Sequence, residues 1–244
     1  MVDRALAQSF ETIGEEYDRH RPGFPVAAVE AILPVAVPTV LDLGAGTGKF
    51  TELLLERADR VVAVEPSAPM REVLRSKLPT VSALDGTAER IPLGDGAVDA
   101  VCVAQAFHWF DRDTAAAEIA RVLVPTGVLG LLWNRADPTC AWDVACHRIA
   151  HPAVGDADAT TATAVELPGF DFVGHHEIRW KERISRAGYV ARWATVSSYL
   201  VANESGRRAM RDAIEAVLDD SPETAGRAAF DLPHLTDVFR YRRA

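Results

Sequence analysis

Residues 40–50, which read VLDLGAGTGKF, decide the fold of this chain. A mostly aliphatic run is followed by three alternate glycines, Gly44, Gly46 and Gly48, and then by residues 49–57, whose apolar side chains recur at helical spacing. Glycine permits a tight turn and lets a ligand approach where a Cβ atom would clash. The stretch therefore predicts a β-strand that ends in a ligand-binding loop and continues into an α-helix.

The spacing of these glycines restricts the ligand. A dinucleotide-binding loop has the pattern G-x-G-x-x-G, but counted from Gly44 the third glycine position holds Lys49. The P-loop pattern fails as well, because Lys49 is followed by Phe50 and not by serine or threonine. Asp42 places an acid just before the loop, where it would repel a phosphate and attract a cation. The loop thus favours a ligand with a cationic amino-acid part.

Aliphatic runs alternate with helical segments over the first 133 residues. The runs are residues 40–43, 61–64, 81–84, 98–103 and 128–133, and the helical segments are residues 49–57, 69–78 and 113–123. Short apolar strands separated by helices predict βαβ units and a parallel sheet covered on both faces. Because such crossovers are right-handed, we expect a Rossmann-like, doubly wound α/β fold.

The pattern weakens after residue 133 and then resumes. Residues 141–150 predict a helix within a segment that we interpret as an insertion or lid. We further expect a strand at 175–180, helices at 187–199 and 204–219, and a last strand at 237–241. The predicted organisation is one domain over residues 1–244, divided into an N-terminal helical cover (1–35), a cofactor-binding core (36–135), the insertion (136–170) and the C-terminal strands and helices (171–244).

Two further segments lie where predicted strands end. Glu65 closes the second strand, about twenty residues after the glycine loop, and could accept hydrogen bonds from both hydroxyls of a ribose. Residues 85–89, DGTAE, follow the third strand, where an adenine ring would lie. Each alone could be a solvated strand end or a simple turn. Their occurrence together, in this order, predicts an adenosine-containing ligand.

These motifs resemble those of class I S-adenosylmethionine-dependent methyltransferases. Residues 40–51 resemble the first motif of that family, residues 64–67 with Met70 the second, and residues 86–93 the segment on the adenine side. Residues 98–101 and 121–127 resemble the fourth strand and the turn before the fifth, with Thr126 where glycine is commoner. The resemblance covers about residues 10–133 and implies S-adenosylmethionine as cofactor. It also implies a seven-stranded, mostly parallel sheet with helices on both faces and an antiparallel last strand, which residues 237–241 could supply.

Within that family, the chain resembles the trans-aconitate methyltransferase-like subgroup of the methyltransferase type 11 group. The similar stretches are Phe10, Tyr17 and residues 21–25 (RPGFP), together with residues 105–110 (QAFHWF) after the fourth strand. The resemblance implies a small or medium-sized methyl acceptor, such as a carboxylate or a hydroxyl compound.

The resemblance also implies a set of cofactor-binding residues. Tyr17 and Arg21 would fold over the methionine part of the cofactor, with Arg21 pairing its carboxylate, although both could equally belong to an ordinary surface helix. The expected cofactor-binding residues are Tyr17, Arg21, Asp42, Gly44, Ala45, Gly46, Thr47, Gly48, Glu65, Pro66, Met70, Thr87, Ala88, Glu89, Gln105 and Ala106.

Methyl transfer from a sulfonium is an in-line displacement that chiefly requires alignment of the reacting atoms. A general base helps only if the nucleophile arrives protonated, and His108 is the candidate for that role or for lining the acceptor. Phe107 and Trp109 could line the space in which the methyl group is transferred, since the faces of aromatic rings attract the positive charge of the sulfonium. They could also simply pack in the core. Asn134 and Arg135 follow the fifth strand and could face the acceptor, with Arg135 pairing an anionic one.

The composition restricts partners and location. The chain of 244 residues has a formal net charge of −9, which disfavours nucleic acid as a partner. Three scattered cysteines predict neither a disulfide framework nor a metal site, and no apolar stretch is long enough to cross a membrane. The N-terminal residues do not resemble a signal peptide, so we expect a cytoplasmic protein. Two alternatives remain open: a protein that binds S-adenosylmethionine without transferring its methyl group, and an NAD-dependent oxidoreductase.

Overall fold

A computed structural model describes residues 21–151, 166–194 and 196–244 of the chain. The α-helices are α1 (Val26–Ile32), α2 (Thr51–Leu54), α3 (Ala68–Lys77), α4 (Arg112–Val122), α5 (Ala141–Ala150), α6 (Arg186–Trp193), α7 (Ser197–Val201) and α8 (Glu204–Asp220), and a 3₁₀-helix spans Phe107–Trp109. The strands are β1 (Val37–Leu43), β2 (Ala58–Val64), β3 (Ser82–Leu84), β4 (Val98–Ala104), β5 (Leu123–Ala136), β6 (Phe170–Ser185) and β7 (Ala229–Arg243).

The strands form one seven-stranded sheet in the order β3-β2-β1-β4-β5-β7-β6. Strands β1 to β5 are parallel, and β7 runs antiparallel to both of its neighbours, β5 and β6. The Rossmann-like fold with an antiparallel last strand, expected from the sequence, is confirmed. Because the strand order reverses between β1 and β4, the carboxyl ends of these two strands flank the cleft in which ligands bind in such sheets.

Both faces of the parallel sheet are buried, which is why its strands are almost continuously aliphatic. One face packs against α4 through residues such as Leu41, Val101 and Ile119. The other face packs against α1 and α3 through Ile32 and Leu74. Burial of such side chains on both sides of the sheet fixes the orientation of the strand ends that carry the candidate site.

A third apolar cluster lies beyond the carboxyl edge of the parallel strands. Strand β5 ends at Ala136, which pairs with His234, whereas β7 already begins at Ala229 and pairs there with Ser185 of β6. The β6–β7 hairpin therefore projects past the end of β5. Helices α5, α6 and α8 pack on this projection around a buried aromatic group that consists of Trp142, Tyr189, Trp193 and Phe230.

Several predicted boundaries are wrong. The strands expected at 175–180 and 237–241 are only the central parts of β6 and β7, which have 16 and 15 residues. The helix expected at 49–57 is reduced to Thr51–Leu54, because β2 begins at Ala58, and the one expected at 187–199 is divided into α6 and α7. The turn expected within residues 121–127 is largely part of β5, which begins at Leu123, and the register against β4 shifts there. Much of the expected insertion, residues 152–165, lies outside the described residues.

Candidate functional site

The glycine loop closes over the end of β2 at the centre of the cleft. The amides of Gly44 and Ala45 donate to the Val64 carbonyl at 2.8 and 3.1 Å. All three loop glycines have positive φ angles, +73° at Gly44, +55° at Gly46 and +85° at Gly48, which residues with side chains rarely adopt. The sequence motif therefore corresponds to a backbone conformation that needs glycine.

The segment that follows β4 lies directly against this loop. A Cβ atom on Gly44 would come within 2.6 Å of the Ala106 Cβ and 3.3 Å of Phe110 Cζ. At Gly46, by contrast, a Cβ would meet only the Met70 Sδ, at 3.9 Å. Gly44 is thus required for contact between two loops, whereas the space above Gly46 is open to a ligand.

Asp42 is a buried carboxylic acid below the glycine loop, with a relative exposure of 1%. Its Oδ2 accepts a hydrogen bond from the Thr51 hydroxyl at 2.6 Å, while its Oδ1 has no partner among the described residues. Burial raises the pKa of Asp42 to about 7, and the nearby charge of Glu65 adds to the rise. The carboxyl group is therefore partly ionised at neutral pH, and a cation beside it would stabilise its charge.

Glu65, at the end of β2, connects the glycine loop with the start of α3. Its Oε2 accepts from the Gly46 amide at 2.9 Å and its Oε1 from the Ser67 amide at 2.8 Å. Burial raises the pKa of this carboxyl group, and the two amides oppose the rise. Each carboxylate oxygen retains a second lone pair, so the group can still accept hydrogen bonds from a ligand.

Arg71, which sequence reasoning missed, holds the backbone at Glu65 in place. Its Nη1 donates to the carbonyls of Glu65 and Pro66 at 2.6 and 2.7 Å and lies 2.9 Å from Asp85 Oδ1. One guanidinium thus joins the turn after β2 to the end of β3. Only the position of Arg71 on the first turns of α3, six residues after Glu65, could have suggested this role.

The segment on the expected adenine side is a compact turn. The Arg90 amide donates to the Thr87 carbonyl at 3.2 Å, and Ala88 is buried. The Glu89 Oε1 accepts from the Asp111 amide at 2.9 Å and so ties this turn to the start of α4. The structure therefore brings the ends of β1, β2, β3 and β4 around one cleft.

Gln105 follows β4 with a φ of +57°, in the left-handed region that residues other than glycine seldom occupy. Its amide donates to the Leu132 carbonyl and its side-chain Nε2 to the Asn134 carbonyl, both at 2.9 Å. These two bonds to β5 hold the strained conformation, and such strain is concentrated at functional sites.

The aromatic residues after Gln105 divide between core and surface. Phe107 is buried and packs edge-on against Phe110, with ring centroids 5.8 Å apart. His108 is exposed and its ring lies 4.8 Å from that of Trp109. The atoms around His108 desolvate it and lower the pKa of its imidazole, so the ring is neutral at pH 7 and able to accept a proton.

The two predicted residues after β5 make strong contacts within the protein. Asn134 Nδ2 donates to the Gly23 carbonyl at 2.8 Å, and Asn134 Oδ1 accepts from the Thr236 hydroxyl at 2.6 Å. Arg135 pairs with Asp237 at 2.6 Å and with Glu177 at 2.5 Å. Two carboxylates thus already compensate the charge of Arg135.

Most of the predicted cofactor-binding residues lie close together in the fold. The glycine loop, Glu65, Pro66 and Met70, the turn at residues 87–89, and Gln105 and Ala106 meet at the carboxyl edge of the sheet. Arg21 is described and begins the segment that contacts Asn134, whereas Tyr17 lies outside the described residues. No part of the described chain groups three His, Cys, Asp or Glu side chains in a way that could hold a metal ion. In the same part of the chain, no helix is long and apolar enough to cross a membrane.

The fold and the cleft define a Rossmann-like α/β protein with a ligand site at the carboxyl ends of its parallel strands. Residues 41–131 match the family model of the methyltransferase domain. An uncharacterized methyltransferase of Mycobacterium tuberculosis is 39% identical over 238 residues, which cover 97% of this chain and 96% of the relative. An uncharacterized methyltransferase-like protein of Schizosaccharomyces pombe is 40% identical over 58% of this chain and 57% of its own length.

A solved structure has the same fold. The putative type II methyltransferase from Anaeromyxobacter dehalogenans superposes with a TM-score of 0.68 at 24% identity, over 91% of this chain and 97% of that protein. The near full-length similarity to the Mycobacterium tuberculosis relative shows that the chain belongs to the methyltransferase family.

Proposed function

We propose that this protein transfers the methyl group of S-adenosylmethionine to a small or medium-sized acceptor. The observation that carries the proposal is the pair of buried carboxylic acids, Asp42 and Glu65, on either side of the glycine loop. Asp42, beside a loop that lacks the third glycine of a dinucleotide site, would repel a pyrophosphate, which argues against an NAD-dependent oxidoreductase. The two acids match a ligand that combines ribose hydroxyls with a cationic amino group.

The residues of the chain have distinct roles in this proposal. Glu65, oriented by the Gly46 and Ser67 amides, accepts hydrogen bonds from the ribose. Asp42 lies below the loop with one oxygen that has no partner among the described residues, and it attracts the ammonium group. The turn at residues 87–89 borders the adenine ring, and Gln105 and Ala106 border the sulfonium. The cofactor supplies the methyl group, and the protein aligns it and excludes water.

The acceptor side favours a hydroxyl compound over a carboxylate. Arg135, the cation that the sequence suggested for an anionic acceptor, is paired with Asp237 and Glu177. His108 lies two residues before Phe110, which contacts the glycine loop, and the lowered pKa of its imidazole favours the neutral form that can take a proton from a hydroxyl. The assignment to the trans-aconitate methyltransferase-like subgroup stays a prediction, as does the cytoplasmic location.

Calorimetric titration tests the cofactor assignment. Protein freed of bound ligand is titrated with S-adenosylmethionine, with S-adenosylhomocysteine and with NADH, and the same titrations are made on Glu65→Gln. We expect saturable binding of the first two ligands, weakened by the substitution, and a matching rise in melting temperature. Binding of NADH alone, or of none of the three, would contradict the proposal.

A second experiment separates a methyltransferase from a protein that only binds the cofactor. Labelled S-adenosylmethionine is incubated with pools of small hydroxyl compounds and, separately, of carboxylates, and labelled products are extracted. We expect transfer to a hydroxyl compound. Tight cofactor binding with no transfer to any pool would favour a binding protein without transferase activity.

A further inference from the structure

Residues 21–25 contact both the end of the glycine loop and β5. The Phe24 ring packs edge-on against Phe50, immediately after the loop, with ring centroids 5.2 Å apart. The Gly23 carbonyl accepts from Asn134 Nδ2 at 2.8 Å. In the order β3-β2-β1-β4-β5, the segment lies on the side of β1 opposite to Glu65 and the adenine turn. It therefore borders the part of the cleft that would take the amino-acid end of the cofactor.

A chain of hydrogen bonds from the far edge of the sheet orients the Asn134 side chain. Trp180 Nε1, on β6, donates to the Thr236 hydroxyl on β7 at 2.9 Å, and that hydroxyl donates to Asn134 Oδ1 at 2.6 Å. An indole nitrogen can only donate, so the Thr236 proton must be directed at Asn134. The Asn134 amide nitrogen is consequently the atom that faces Gly23. The donor and the acceptor of each of these three hydrogen bonds are thus determined, because the indole nitrogen can only donate and the Gly23 carbonyl can only accept.

The backbone of Asn134 contacts the floor of the cleft as well. Its carbonyl oxygen accepts from Gln105 Nε2 at 2.9 Å. Gln105 is the residue with the left-handed backbone after β4, next to Ala106, which touches Gly44. One residue of β5 thus holds both the N-terminal segment and the strained residue that follows β4.

We propose that the Asn134 side chain is a positioning group for the amino-acid end of the cofactor, and that it acts through residues 21–25 without lining the acceptor. This inference rests on the proposed use of S-adenosylmethionine. It assigns to Trp180 and Thr236, which lie on the last two strands of the sheet, a role in cofactor binding that no motif of the sequence indicates.

The test compares two ligands that differ only at that end. S-adenosylhomocysteine carries the amino-acid part, whereas 5′-methylthioadenosine lacks it. For Asn134→Ala and for Thr236→Val, we expect the affinity for S-adenosylhomocysteine to fall about tenfold, which corresponds to the loss of one buried hydrogen bond. The affinity for 5′-methylthioadenosine should change less than about twofold. Both affinities are measured by calorimetry at one pH and salt concentration.

Thr224→Val is the matched control, because Thr224 is as fully buried as Thr236 and donates its hydroxyl to the Leu218 carbonyl, away from the cleft. It should lower the melting temperature comparably and leave both affinities unchanged. Trp180→Phe removes only the first donor of the hydrogen-bond chain and is the milder variant if the others do not fold. It should lower the affinity for S-adenosylhomocysteine and leave that for 5′-methylthioadenosine unchanged.

The outcomes are distinct. An equal loss for both ligands, or no loss for either, would overturn the role of Asn134 while leaving the cofactor assignment intact. If the wild-type protein binds neither ligand, the cofactor assignment is wrong and this inference falls with it. Faster amide hydrogen exchange at residues 23–24 in Asn134→Ala than in Thr224→Val would support the role independently of any ligand.

Discussion

The two sides of the cleft are built in different ways. On the side proposed to bind adenosine, which we call the adenosine side, Glu65 bonds to amides 19 and 2 residues away, and Arg71 bonds to carbonyls 6 and 5 residues away. On the opposite side, Asn134 bonds to residues 111 and 102 positions away. The adenosine side is therefore a property of one continuous stretch of sequence, whereas the amino-acid and acceptor side exists only when distant strands have paired.

The two modes of construction have different consequences for specificity. A side made of local contacts is fixed by short motifs and can recur with little change in proteins with different substrates. A side assembled from β5, β6 and β7 depends on how the β6–β7 hairpin pairs with β5. If the two sides are separate units, a substitution on one side should leave ligand binding on the other unchanged.

The largest effect is expected at the point where both sides meet. Gly46→Arg should abolish cofactor binding, with an affinity at least about a hundredfold lower, because the side chain would fill the ligand space and φ at this position is +55°. Titration with S-adenosylhomocysteine measures it. Gly96→Arg is the matched control, since Gly96 has a φ of +60° and open space around it, away from the cleft. Equal loss of binding in both variants would show that backbone strain alone is responsible.

The next effect concerns the acceptor side alone. With a hydroxyl acceptor, His108→Gln should lower kcat about a hundredfold, because the neutral imidazole no longer takes the proton, and should leave the affinity for the cofactor unchanged. Turnover at saturating cofactor is the measurement. Wild-type turnover in His108→Gln and His108→Ala would exclude a base role for this residue.

A smaller effect concerns the adenosine side alone. Arg71→Met should lower the affinities for S-adenosylhomocysteine and for 5′-methylthioadenosine equally, by about tenfold. The reason is that the turn that carries Glu65 loses two hydrogen bonds and the ion pair with Asp85. Arg75→Met is its control: Arg75 lies one turn further along α3 and bonds only the Ala83 carbonyl among the contacts described, at 2.7 Å. A selective loss of one ligand in Arg71→Met would mean that the two sides are not separate.

The smallest effect is a dependence on pH. Because the pKa of Asp42 is raised to about 7, its carboxyl is mostly neutral at pH 6 and mostly ionised at pH 8. The affinity for the cationic cofactor should therefore increase several-fold between these values, and Asp42→Asn should remove most of the increase. The sign for stability is opposite: between the unfolded-state pKa of 3.8 and the folded-state pKa of about 7, the folded state retains a proton that the unfolded state has released, so the unliganded protein loses stability as pH rises through this window and little more above it. Calorimetry and thermal unfolding at pH 6, 7 and 8 measure both.

Sequence reasoning located the glycine loop and the strand ends around it for a physical reason. Glycines with positive φ, an acid at a strand end and aliphatic runs are each required by the local backbone, so they are visible as motifs. It was less successful beyond β5. In β6, residues 170–177 are mostly exposed and only residues 178–185 alternate between half-buried and exposed positions, so the sequence of this edge strand shows little apolar periodicity.

The class of fold, the glycine loop and the acids around it can therefore be predicted from the sequence, because they depend on short stretches of chain or on the burial of continuous apolar strands. The contacts of Asn134 and Arg135 become visible only in the folded protein. Their partners, Gly23, Thr236, Asp237 and Glu177, are distant along the chain and are brought close by antiparallel pairing of β7 with β5 and β6. The register of that pairing depends on the packing of whole strands, and no short stretch of sequence contains it.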